Sequence, residues 1–207
     1  MSHVLFKYLK YSTFLFLTCN VIFFFRKEHT ASDQVFLKGI DWSNFIEAYS
    51  SSIDATAWLS LLFILEIETC FLSEKIKGVA KLALNSFKTI LYLIIVYAFY
   101  GYLIKYNNIA SETALSSAQH QAFVDMINSA DWLLIVFILE IESYKEIRGK
   151  LTKQVSFIIK VILYTVLFAN AVYFGIMGNI LDFWDAFLWI IAFVFIELRY
   201  LKEKVED

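Results

Sequence analysis

The stretch from Trp132 to Glu142 reads WLLIVFILEIE, and Trp58 to Glu68 reads WLSLLFILEIE. Each is an apolar run of membrane-spanning character that ends in two carboxylates. A third copy is shorter: WIIAFVFIEL begins at Trp189 and reaches Glu197, eight residues on, the spacing that also separates Trp58 from Glu66 and Trp132 from Glu140. Four residues before each tryptophan stands a short polar side chain, Asp54, Asn128 or Asp185. These residue types favour helix N-caps, so the pattern predicts three helices that start near the membrane surface with a tryptophan one turn inside, as an interfacial belt anchor.

Composition places those runs in a membrane. The chain has 207 residues, 59% of them hydrophobic, with a mean hydropathy of +0.62, which is too apolar for a soluble domain. Proline is absent, so helix kinks need another cause. Cys19 and Cys70 lie in apolar runs and read as reduced core residues. His3, His29 and His120 all lie outside the apolar runs, which argues against an intramembrane haem or histidine–metal centre. A net charge of −2 excludes a nucleic-acid partner.

A span needs about 20 residues to cross a ~30 Å hydrocarbon core. Six segments qualify, near 5–25, 54–73, 84–104, 128–147, 156–176 and 182–201. The first has Lys7 and Lys10 ahead of STFLFLTCNVIFFF but no small-residue cleavage site, and is read as a mature span. The N-terminal region, 73–88, 143–160 and the C-terminal tail together hold 14 of the 18 Lys and Arg, whereas 26–54, 105–131 and 177–185 hold four against ten acids. The positive-inside rule then predicts an integral protein of a bacterial inner (cytoplasmic) membrane with both termini in the cytoplasm. The two long outer segments, 33–50 and 111–128, have amphipathic patterns that fit short interfacial helices as well as ordinary loops.

The odd spans align on lysine: KYSTFLFLTCNVIFF from Lys10, KTILYLIIVYAFYGY from Lys88 and KVILYTVLFANAVYF from Lys160. Ten residues on come Asn20, Ala98 and Asn170. The unit is therefore a hairpin, lysine-led on the way out and Trp/Glu on the way back. The expected fold is an all-α, integral-membrane six-helix bundle built from three repeated hairpins (1–75, 76–150 and 151–207) with pseudo-threefold symmetry, all within one transmembrane domain.

Glu66, Glu140 and Glu197 lie twelve residues beyond the polar residue of their helix, about 18 Å along the axis, and so within the bilayer. Lys10, Lys88 and Lys160 reach a similar depth from the other side. Two residues beyond the glutamates stand Glu68, Glu142 and Arg199, about 200° around the helix. One reading pairs each lysine with a glutamate to neutralise both, because a lone charge in lipid costs several kcal/mol. The other converges the glutamates on a central path as cation or proton sites, with the lysines as counter-charges. A carboxylate metal centre is the weakest, since Glu-x-x-His spacing is absent. Asn20 and Asn170 suit interhelical hydrogen bonding or the lining of a cavity.

No span carries an arginine at every third residue, which excludes a voltage-sensor helix. The proline-centred signature of mitochondrial carriers, which also use three hairpins, cannot occur in a chain without proline. There is no phosphate-binding loop, no nucleophile elbow and no soluble domain to hold a cofactor, so an enzyme is not expected. The functional readings are two: a small channel or transporter for cations or protons, and a non-catalytic accessory subunit of a larger membrane complex whose Lys–Glu pairs are purely structural. Its partners are the lipid bilayer and either other membrane subunits or further copies of itself. A membrane sensor acting through the tail RYLKEKVED is a third and thinner reading.

Overall fold

The computed structural model describes the backbone of 3–37, 39, 41–71, 78–110, 117–143 and 153–206, and side chains within 6–33, 35–37, 39, 41–67, 78–109, 118–138, 141 and 155–195. Among these residues all regular structure is helical. The helices are α1 (His3–Phe36), α2 (Trp42–Phe71), α3 (Val79–Ala110), α4 (Ser117–Ser143), α5 (Lys153–Ile176) and α6 (Ile180–Glu206). Five contain stretches long and apolar enough to cross a membrane: Phe6–Asp33, Trp42–Ile67, Val79–Ile109, Ala118–Ile138 and Val155–Ile176. The protein is thus multi-pass and lipid-embedded.

Uninterrupted helix is what a proline-free, apolar chain must form in lipid, where each backbone N–H and C=O has to be satisfied within its own segment. Side-chain hydroxyls follow the same rule. Thr13, Thr18, Thr56, Ser60, Thr89 and Thr165 each donate to the carbonyl four residues back, so no hydroxyl is presented bare to lipid at these sites.

Each helix packs against two others, α1 on α2, α2 on α3 and onward to α6, and α6 returns to α1, so the six close into a ring. The directions alternate. Lys10, early in α1, meets Glu66, late in α2, while Glu28, late in α1, meets Ser51 and Ser52, early in α2. Phe6 of α1 packs edge-on against Phe195 of α6, which brings the two ends of the chain to one end of the ring. We call this the terminal end and the opposite one the loop end.

The helices overrun the sequence-predicted spans at the loop end. α1 has 34 residues, ~51 Å of helix, against a hydrocarbon core of ~30 Å. The described parts of the amphipathic segments that precede the second and fourth spans, 42–50 and 117–128, are helical and run directly into those spans. Residues 42–48 join α2 through a kink at Tyr49 (φ −120°, ψ 21°), and 117–128 form the start of α4. Asp54 and Asn128 therefore lie inside helices, and Asp185 lies beyond the first turn of α6. None of the three is an N-cap, which corrects the sequence reading.

The kink at Tyr49 breaks the helical hydrogen-bond ladder and frees the N–H groups that follow it. Glu28 of α1 takes them: its carboxylate accepts from the backbone N–H of Ser51 at 2.8 Å and of Ser52 at 2.9 Å, and from the Ser52 hydroxyl. A carboxylate at this point also faces the positive end of the helix dipole. The helical segment before the kink is fastened to α3. Tyr97 donates to the Trp42 carbonyl, Asn108 to Glu47, and Ile46 and Ser50 are fully buried. Gly101 of α3 allows the close approach, since a Cβ there would lie 2.7 Å from the Ile46 carbonyl oxygen.

The α5–α6 connection is short because it is a Schellman turn. Asn179 N–H bonds to the Phe174 carbonyl and Gly178 N–H to that of Gly175, with Gly178 at φ +77°.

Gly101→Ala is expected to destabilise the protein by about 1–3 kcal/mol, through displacement of the Ile46 backbone. Thermal unfolding in detergent checks this, and a variant that melts with the wild type would show that the segment 42–48 yields freely.

Candidate functional site: an acidic chamber over three tryptophans

Three indoles meet on the axis of the ring. The centroids of Trp58, Trp132 and Trp189 are 6.2, 6.3 and 6.2 Å apart, an almost equilateral triangle with one member from each of α2, α4 and α6. Their exposures are 9%, 8% and 8%, so they are core residues rather than belt anchors. α2, α4 and α6 do not touch one another through their backbones among the described residues, and the indoles span the gap between them. Leu62, Ile135, Ile138, Leu188 and Ala192 fill the core around and beyond this layer.

Toward the loop end, the tryptophans form the floor of a polar chamber of about 60 Å³. Its wall carries Asp54, Asp125, Asp182, Asp185, Asn128, Ser51 and Tyr102. That space holds roughly four waters at ~15 Å³ each. The residues that the sequence suggested as caps are thus functional candidates. The i, i+4 step places each of them on the same helix face as its tryptophan. The Trp58 indole lies against the Asp54 carboxylate, and Trp189 against Asp185.

The carboxylates differ in their partners. Asn20 donates to Asp185 at 3.1 Å, across the α1–α6 seam. Lys27 meets Asp182 at 3.2 Å, and Lys105 meets Asp125 at 3.7 Å. The Oδ1 atoms of Asp54 and Asn128 are buried and lack a hydrogen-bond partner. Asn170 is buried, and its Nδ2 is likewise without a partner. Four acids thus gather in one chamber, where the sequence reading had looked toward the glutamates. The Asp/Asn-x-x-x-Trp spacing marks Asp54 and Asp185 among these acids, together with Asn128, but in sequence alone it reads as helix capping, and it does not mark Asp125 or Asp182.

At the terminal end, Lys10 of α1 and Glu66 of α2 form an ion pair at 2.5 Å, with side chains 10% and 13% exposed. Tyr11 donates to the same carboxylate oxygen at 3.1 Å, and the Lys10 ammonium lies 4.9 Å from the Tyr11 ring centroid. Glu66 thus faces its own lysine across the first hairpin. Lys88 and Lys160 are half-buried and neither is free. Glu140 and Glu197, together with Glu68, Glu142 and Arg199, have side chains outside the described residues, as does Cys70. Cys19 is a free thiol.

Among the described residues, no three His, Cys, Asp or Glu side chains converge as a metal-binding group. No protein family, curated protein or solved structure matches the chain.

The buried Lys10–Glu66 pair makes a stability prediction. Lys10→Met leaves an uncompensated carboxylate and should cost about 3–5 kcal/mol. The double variant Lys10→Met/Glu66→Gln should recover most of that loss. Unfolding of Lys10→Met at the same point as wild type would show that the pair contributes nothing.

Proposed function

We propose that the protein is a small channel or transporter for cations or protons, with the acidic chamber as its ion station. The observation that carries this reading is the buried, partnerless oxygen of Asp54 in a chamber lined by three further carboxylates. A carboxylate removed from water requires a compensating proton, cation or set of hydrogen bonds. The Trp58 indole is the one described group beside Asp54 that offsets its charge.

In this proposal the chain is three hairpins around a pseudo-threefold axis, with both termini cytoplasmic and the chamber open to the outer side. The tryptophan triangle supports the repeat, since equivalent positions of three helices meet at nearly equal distances. The distribution of Lys and Arg supports the orientation. The candidate station moves from Glu66, Glu140 and Glu197 to the carboxylates above the tryptophans. Glu66 takes an inner role as the partner of Lys10, at the cytoplasmic end.

Liposomes containing the purified protein test the reading. Wild type is expected to conduct Na⁺, K⁺ or protons, and Asp54→Asn to lower the flux by about tenfold or more, a loss of ~1.4 kcal/mol or greater. Glu66→Gln paired with Lys10→Met should retain flux. Absence of wild-type flux for all three ions would overturn the proposal.

The alternative, an accessory subunit of a membrane complex, is favoured by one observation: the axis around and beyond the tryptophans is packed with buried Leu and Ile side chains. Recovery of a stoichiometric partner in gentle detergent, together with a lack of flux, is the outcome it predicts.

A further inference from the structure

Four carboxylates line the chamber, and three of them are already answered. Asp182 has Lys27, Asp125 has Lys105, and Asp185 has the amide of Asn20. Asp54 has neither a lysine nor an amide, only the Trp58 indole beside its carboxylate. No described Lys or Arg lies within ion-pair distance of it, and its Oδ1 meets no donor. The reason is visible in the repeat: where the lysine-led spans place Asn20 and Asn170, the middle one has Ala98.

Asn128, on the wall of the same chamber, also has a buried Oδ1 without a donor. A carboxylate and an amide carbonyl oxygen are acceptors, so neither can satisfy the other directly. Oxygen ligands of this kind suit hard cations. One carboxylate charge with one neutral oxygen balances a single positive charge. The other three acids are engaged, and no trio of metal-ligating side chains assembles among the described residues, which does not favour a divalent ion. The chamber has room for such an ion with a few waters.

We propose that Asp54 and Asn128 together bind one monovalent alkali cation in the chamber above the tryptophan floor, with ordered water and the hydroxyl of Tyr102 available to complete its shell. The inference rests on the reading of the chamber as an ion station and names its cargo and its ligands. Binding is separable from transport.

The floor reports on the site, because Trp58 lies against Asp54. The experiment titrates the purified full-length protein with NaCl, replacing N-methylglucamine chloride at constant ionic strength and fixed neutral pH, and follows tryptophan fluorescence; KCl and LiCl are run in parallel. Wild type should give a saturable change with at least one of the three ions. Asp54→Asn should weaken the apparent affinity by about tenfold or more, and Asn128→Ala by several-fold. Asp33→Asn, an exposed acid outside the chamber, should leave it within about twofold. If Asp54→Asn fails to fold, Asn128→Ala decides alone, since it leaves the charge unchanged. No saturable response in wild type, or a response undiminished in the two chamber variants, overturns the site. A response to pH alone and to none of the cations also overturns it, in favour of a proton. Saturable binding without flux keeps this site and removes transport, and flux without such binding does the reverse.

Discussion

The contact on which the architecture turns is that of the three indoles. Helices of a membrane bundle gain little from the hydrophobic effect against one another, because lipid is as apolar as leucine. They need shape and specific contact. Trp58, Trp132 and Trp189 supply both, as large rigid plates that meet at the centre of the ring, between helices α2, α4 and α6 whose backbones do not touch among the described residues. Each such aromatic pair adds about 0.5–1.5 kcal/mol beyond its buried area. The same plates separate a chamber lined by acids from a core of apolar side chains. The acids are tolerable above them and would be far more costly below.

Around that centre, several polar groups of the loop-end half are paired across helix boundaries. Glu28 caps the helix that restarts after Tyr49, Asn108 binds Glu47, Lys105 faces Asp125, and Lys27 faces Asp182. These contacts bind neighbours in the ring, so the wall of the chamber and the fastening of the helices are one set of interactions. Asp54 stands apart from this set, as do Asn128 and Asp131, each with a buried side-chain oxygen that no donor meets.

Much of this was legible from sequence. Six helices follow from apolar runs unbroken by proline, five of them long and apolar enough to cross a membrane among the described residues, and the lysine at residue 10 meets the glutamate at 66 as their common depth suggests. The site was not legible, for physical reasons. Asp54 and Asn128 have the identity of caps, but capping depends on where the helix begins, and the helices begin at Trp42 and Ser117 because the amphipathic segments before the spans continue them. The tryptophans sit at belt depth, but belt statistics describe lipid-facing rings, and no periodicity in one helix tells that three indoles will face each other. The kink at Tyr49 has no proline or glycine to announce it. It is held by Glu28, which is distant in sequence.

The seam between α1 and α6 joins two helices that lie far apart along the chain. Every other pair in the ring is adjacent along the chain and can dock as soon as the second member enters the membrane. This one cannot. Until α6 arrives, Asn20 lacks Asp185, Lys27 lacks Asp182 and Phe6 lacks Phe195, so α1 must wait with its polar face uncovered through the insertion of four further helices. The ring is therefore an open arc during synthesis and becomes a closed wall only at its final step. The chamber, whose rim includes Asp182 and Asp185 of α6, comes into being at that moment and not before.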